Sequence, residues 1–220
     1  GRSSETDVVT TLGYFLSFMV RRALANIPTN NLNRIFSGLP SVLRDGELAP
    51  QVAQLLLGEQ RYWPSDTEVL DRIGSTPLYA TIQPSQVRYV LRKLEFAIPG
   101  PEVVSVEGLE VEHVMPQKLT ASWVEYLEGM GDSADRARGL VHTIGNLTLT
   151  GQNEQLARLS FDRKRDLYRD SLVRLSQAIV ATEYWSLTEI ERRSRALGQA
   201  AIEVWERPDS SSNTELPQAE

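Results

Sequence analysis

The 220-residue chain contains no cysteine. This excludes disulfides, thiolate-bound zinc and thiol nucleophiles, and it fits a reducing cytoplasm. Histidine is nearly absent too: only His113 and His142 occur. Any imidazole chemistry is therefore confined to two positions. No apolar run approaches the roughly 18 to 20 residues that a membrane span needs. The nearest, Leu12 to Val20, holds Gly13, Tyr14 and Ser17 and runs into Arg21-Arg22. It reads as a buried helix. No signal peptide pattern, internal repeat or Gly-rich phosphate loop is present. Positive charge is in deficit, with a net charge of -6. That weighs against nucleic-acid binding on average, although a local basic face can answer it. The first residue is Gly1, not methionine, so the chain reads as a piece of a longer protein or as a chain left by removal of a tag.

What is there is an ordinary globular composition, 41% hydrophobic and 24% charged, on a length that fits one large domain or two small ones. The first part reads as helices. Leu12, Phe15, Leu16, Met19, Val20 and Ala23 recur at helical spacing, and Pro28 ends that segment. A second helix holds Leu32, Ile35, Phe36 and Leu39, with Pro40 bending it. A third runs near Pro50 to Leu57. Ser65 and Glu68 form a capping-box pattern before a helix to about Ile73. Pro84-Ser85 opens another, with Val87, Val90, Leu91 and Leu94 inward. Pro99-Gly100-Pro101 marks a boundary, giving a helical subdomain over 1–99.

Beyond it the period changes. Val103 to Val106 and Leu109 to Val114 read as strands joined at Gly108, and Gly145 to Thr150 as a third. Helices are expected over Ser122 to Met130 and Ser133 to Val141, from Gln152-Asn153, and as one long element from Phe161 to Val180. A last helix, capped by Ser186 or Thr188, runs to about Trp205. Trp63, Trp123, Trp185 and Trp205 read as packing residues. The expected class is α+β, predominantly α-helical, with a core over 100–206 and a polar tail over 207–220.

Chemistry-bearing residues gather at the strand junctions of the second part. Glu112-His113 ends one strand, Asn146 starts the next, and Asn153 opens the following helix. Metal-assisted phosphodiester hydrolysis uses such a set. A histidine accepts a proton from water near neutral pH. Carboxylate and amide oxygens are hard ligands suited to Mg²⁺ or Mn²⁺. Neighbouring strand residues point to opposite faces, so Glu112 and His113 serve one centre only if the strand end twists or leads into a loop, as Pro116 allows. Asn146 has a rival role in the turn, and Asn153 as a helix N-cap.

Glu112-His113-Val114-Met115-Pro116-Gln117, Gly145-Asn146-Leu147-Thr148-Leu149, Asn153 and Phe161-Asp162-Arg163-Lys164 together resemble the HNH-type (His-Me finger) nuclease of GmrSD-type restriction enzymes, in their C-terminal domain. The first element is also similar to the HNH module of CRISPR effector nucleases. Upstream, Phe18 to Arg22, Thr29 to Asn33, Trp63 to Asp66 and Tyr89 to Glu95 resemble the helical part that precedes this nuclease, so the likeness spans about residues 10 to 206. It implies a small ββα-metal motif braced by helices. It implies His113 as the general base, Glu112 and Asn153 as ligands of Mg²⁺ or Mn²⁺, and Asn146 holding the His113 ring or its loop. Lys164 would contact the scissile or a neighbouring phosphate.

The basic run around Lys164, with Arg158 and Arg163, is the first candidate for DNA backbone contact, although its interleaved acids also fit a solvated, salt-bridged helix. Arg192, Arg193 and Arg195 are a second candidate. His142 either complements a helix dipole or contacts phosphate. The resemblance further implies phage or foreign duplex DNA as substrate, and a sensor or NTPase domain preceding this chain. One site per chain implies nicking, or double-strand cuts by a homo-oligomer or by repeated nicks. Related systems respond to glucosylated cytosine or are linked to phosphorothioate DNA. The rival reading is a catalytically inactive DNA-binding or protein-interaction helical module.

Overall fold

A computed structural model describes residues 4–58, 62–100, 104–152, 156 and 158–208. Ser4 caps α1 (Glu5–Leu24) by accepting from the Asp7 amide. The Asp7 carboxylate in turn accepts from the Leu48 and Ala49 amides, both at 2.8 Å. It thereby caps α3 (Leu48–Leu57) and docks it against α1, where anions suit a helix N-terminus. Phe18, Ile35, Val52, Leu56 and Trp63 close a small core between these helices and α2 (Leu32–Val42), which carries Pro40 within it.

The Ser65/Glu68 capping box forms as its spacing predicts and opens α4 (Asp66–Ile73). A one-turn helix, α5 (Leu78–Thr81), follows, and then α6 (Pro84–Ala97), whose inner face carries Val87, Val90, Leu91 and Leu94. Two strands, β1 (Glu110–His113) and β2 (Leu147–Thr150), pair antiparallel with Glu112 opposite Thr148 and His113 opposite Leu147. Between them lie α7 (Ala121–Gly129), α8 (Ala134–Leu140) and a 3₁₀ turn, Ile144–Asn146. The protein is α+β and mostly helical, with this small two-stranded sheet.

The largest core joins α1, α4 and α6 to both strands and to α11 (Leu187–Val204), so apolar packing crosses the Pro99 to Pro101 segment. A second core, around Trp123, Phe161, Ile179 and Trp185, backs the far side of the sheet. All four tryptophans are buried, as expected of packing residues.

Two expected elements differ. Residues 104–106 are not a strand, and residue 103 lies outside the described residues. Val104 instead packs in irregular conformation on the main core. The long helix expected from Phe161 to Val180 is two helices, α9 (Phe161–Arg169) and α10 (Arg174–Val180). The cause is distant in sequence. The buried carboxylate of Glu95 on α6 accepts from the Arg174 and Leu175 amides at 2.8 and 2.9 Å, which supplies a new helix start.

Arg193 on α11 is also interior and not on a DNA-facing surface. Its guanidinium donates to the carbonyls of Gly145, Leu147 and Leu175 at 2.7 to 3.1 Å. It thereby fastens the 3₁₀ turn, β2 and α10 to one helix. Gly145 is required at this approach: an added Cβ would lie 2.1 Å from the Ile190 carbonyl oxygen.

Candidate active site

The period of two along β1 sends its last two side chains to opposite sides, and the structure uses each differently. Glu112 turns inward. Lys164 Nζ lies 2.5 Å from Glu112 Oε1 and 2.6 Å from the His113 carbonyl oxygen, and the side chains of Lys164 and Glu112 are 0% and 3% exposed. Burial pushes the Glu112 carboxyl up and the Lys164 ammonium down, and their attraction opposes both shifts. A single ammonium thus ties strand to helix through both a side chain and the backbone. The Tyr168 hydroxyl is buried in the same region with no hydrogen-bond partner among the described residues, and burial, then the nearby Glu112 charge, raises its pKa. For Lys164 this is a different place from the expected phosphate contact: it sits in the interior, where desolvation is offset by the Glu112 carboxylate and the His113 carbonyl.

His113 turns the other way. Its Nε2 lies 3.2 Å from His142 Nδ1, and its Nδ1 lies 3.4 Å from the Gln117 side-chain nitrogen. Tyr79 presents its ring at 83° to His113, with centroids 4.6 Å apart, and stacks at 11° on His142. The Tyr79 amide also donates to the His142 carbonyl at 3.1 Å. His113 is 4% exposed. Burial first, then His142 and the Lys164 charge, lowers its pKa to about 3, so the ring is neutral at physiological pH. His142 is likewise lowered by burial.

Asn146 is fully committed to the loop that follows His113. Its Oδ1 accepts from the Met115 amide (2.8 Å) and from Trp185 Nε1 (3.1 Å). Its Nδ2 donates to the Met115 and Val141 carbonyls, both at 2.8 Å. The Val114 amide donates to the Asn146 carbonyl at 2.9 Å. The side chain engages the backbone after His113 and the end of α8; the ring nitrogens of His113 have Gln117 and His142 as neighbours instead.

The remaining expected residues scatter. Arg158 and Arg163 are exposed, and neither forms a salt bridge among the described residues. Asn153 lies outside the described residues. Tyr79 carries no signal in the sequence, because it rides on a one-turn helix too short to show a period.

A divalent ion meets a poor reception from this donor set. The Glu112 carboxylate is engaged by Lys164 on the opposite side of the strand from the His113 ring. No group of three or more His, Cys, Asp or Glu side chains converges among the described residues. The described residues therefore do not by themselves assemble a Mg²⁺ or Mn²⁺ site.

A two-stranded sheet with a buried histidine at one strand end, the following loop fastened by an asparagine from the 3₁₀ turn before the next strand, defines a small helix-braced α+β domain. The family model of the C-terminal domain of GmrSD restriction endonucleases matches residues 63–200, and the chain belongs to that family. The match starts at Trp63, so α4 to α6 are part of the family domain. No curated protein and no solved structure matches the chain.

Proposed function

We propose that this domain is a DNA endonuclease that nicks phosphodiesters by water attack, with His113 as the general base. The observation that supports this most is the state of that imidazole: neutral, at the end of β1, held between His142 and Gln117. A neutral ring is competent to accept a proton at physiological pH. Its basicity in the free protein is low, and a phosphodiester anion bound beside it raises it by favouring the protonated form.

Arg158 and Arg163, exposed on and just before α9, are the residues of choice for the DNA backbone. Asn146 acts by fixing the chain that carries His113. Membership of a restriction endonuclease family supports foreign or phage DNA as substrate, with recognition of modified DNA supplied by a preceding domain. Family kinship is also the support for a divalent-ion requirement, so Mg²⁺ and Mn²⁺ are both supplied in the assay, with a chelated control.

A second reading, a DNA-binding module without catalysis, is favoured by the 4% exposure of His113 and by the engaged Glu112. Supercoiled plasmid, converted to open circle by the wild-type chain and not by His113→Ala, separates the two. Binding without conversion selects the second reading.

A further inference from the structure

We propose that His142 is a positioning residue: its Nδ1 accepts the Nε2 proton of His113 and so keeps the basic lone pair of His113 on Nδ1, the nitrogen beside Gln117. The proposal rests on the reading of His113 as the general base and names the group that sets its tautomer.

The two nitrogens are 3.2 Å apart, with the rings at 87° and centroids 5.3 Å apart. Between two neutral imidazoles, one donates and the other accepts. Suppose His142 donated. The lone pair of His113 would then be spent on His142, and its proton would sit on Nδ1. No basic nitrogen would face anything but a histidine. With His142 accepting, the His113 proton is on Nε2 and its Nδ1 carries the lone pair. The neighbour of that Nδ1 is the Gln117 side-chain nitrogen, an amide donor at 3.4 Å. Gln117 is exposed, so Nδ1 is the ring nitrogen turned toward an exposed side chain.

The backbone around His142 is built to hold that orientation. The preceding carbonyl, of Val141, is bonded by Asn146 Nδ2 at 2.8 Å. The carbonyl of His142 itself is bonded by the Tyr79 amide at 3.1 Å. The Tyr79 ring stacks on the His142 ring at 11°. Ligands and bases whose second ring nitrogen is engaged are fixed in tautomer in this way.

During attack, the water proton moves to His113 Nδ1 as the water oxygen bonds to phosphorus. The bond from phosphorus to the leaving oxygen breaks, and solvent protonates that oxygen. The imidazolium formed keeps donating through Nε2 to a neutral acceptor. His142 loses and gains no proton overall.

The chain's two histidines make the test direct, because ¹⁵N-histidine labelling gives a spectrum of two rings. In the full chain, His113 is expected to show a protonated Nε2 and an unprotonated, pyridine-type Nδ1. His142→Phe keeps a ring on Tyr79 but removes the acceptor. It is expected to mix the two His113 tautomers and to lower nicking about 10- to 100-fold, as loss of an orienting partner does. His142→Asn, with an oxygen in place of Nδ1, is expected to restore the Nε2–H tautomer and most of the activity.

A wild-type His113 carrying its proton on Nδ1 overturns the proposal. So does a His142→Phe chain with unchanged tautomer and nicking, or a His142→Asn chain no different from His142→Phe in both. If His142→Phe does not fold, the wild-type and His142→Asn spectra still decide. The tautomer is read without turnover. An inactive chain with the expected tautomer thus sinks the nuclease reading and leaves the His142 contact standing.

Discussion

Lys164 and Glu112 form an ion pair in the interior, 2.5 Å from nitrogen to oxygen, directly behind the strand that ends in His113. The same ammonium holds the His113 carbonyl oxygen at 2.6 Å. The pair acts as a bolt between α9 and β1, with no solvent to screen it.

Removing one half of this pair strands a buried charge. Lys164→Met is expected to destabilise the fold by about 3 to 5 kcal/mol, measured by urea unfolding. Lys164→Met with Glu112→Gln is expected to recover part of that loss, because no uncompensated charge remains. Arg163→Ala, one residue away but exposed, is expected to change stability by less than about 0.5 kcal/mol. A Lys164→Met chain of unchanged stability would contradict the interior placement.

Asn146 satisfies four polar groups, on Met115, Val141 and Trp185. Asn146→Ala leaves these buried, at about 1 to 3 kcal/mol for each group left unpaired. A large fall in the thermal midpoint, together with faster amide exchange at Val114 and Met115, is expected. Unchanged exchange in that loop would show that Asn146 is not its fastening.

The pH dependence of stability has a definite sign. His113 has a folded pKa of about 3, depressed from the ordinary value of about 6.5 for an exposed histidine. The unfolded chain therefore binds the proton more readily. The stabilisation is complete above about pH 6.5 and is lost progressively as pH falls from there toward 3. His113→Asn removes this dependence. Its thermal midpoint is expected to fall less steeply than that of the wild type between pH 7 and pH 4. The Glu112 carboxyl titrates in both chains, so the difference between the two profiles isolates His113. Parallel profiles would contradict the buried, neutral state of the ring.

DNA binding, in turn, is expected to depend on Arg158 and Arg163. The double change to alanine is expected to weaken binding uniformly across sequences. It is also expected to lower the salt slope by about 1 for each phosphate that no longer meets an arginine. Fluorescence anisotropy at several salt concentrations measures both effects. An unchanged slope would place the DNA on another face.

Much of this architecture is legible in the sequence where the signals are local. Ser65 with Glu68 announces a capped helix, and the alternation of Leu147 to Thr150 announces β2. Glu112-His113 and Gly145-Asn146 mark the two strand junctions by composition alone. What is not legible depends on partners far along the chain. The break between α9 and α10 is set by Glu95, some eighty residues earlier. Lys164 and Arg193 lie in charged stretches that read as solvated, and only the fold shows which cation is folded inward. Tyr79 has no periodic neighbourhood to mark it, and its meaning comes from the two histidines it touches. Nor does the spacing of Glu112 and His113 reveal that the carboxylate is taken by a lysine on the far side of the strand.

The role of His113 as general base is tested most directly by conversion of supercoiled plasmid to open circle, with Mg²⁺ or Mn²⁺ supplied. The wild-type chain is compared with a folded His113→Ala variant. Nicking is expected from the wild type, and its loss by about 100-fold or more, as for removal of a general base, in the variant. Equal nicking by both chains would contradict that role.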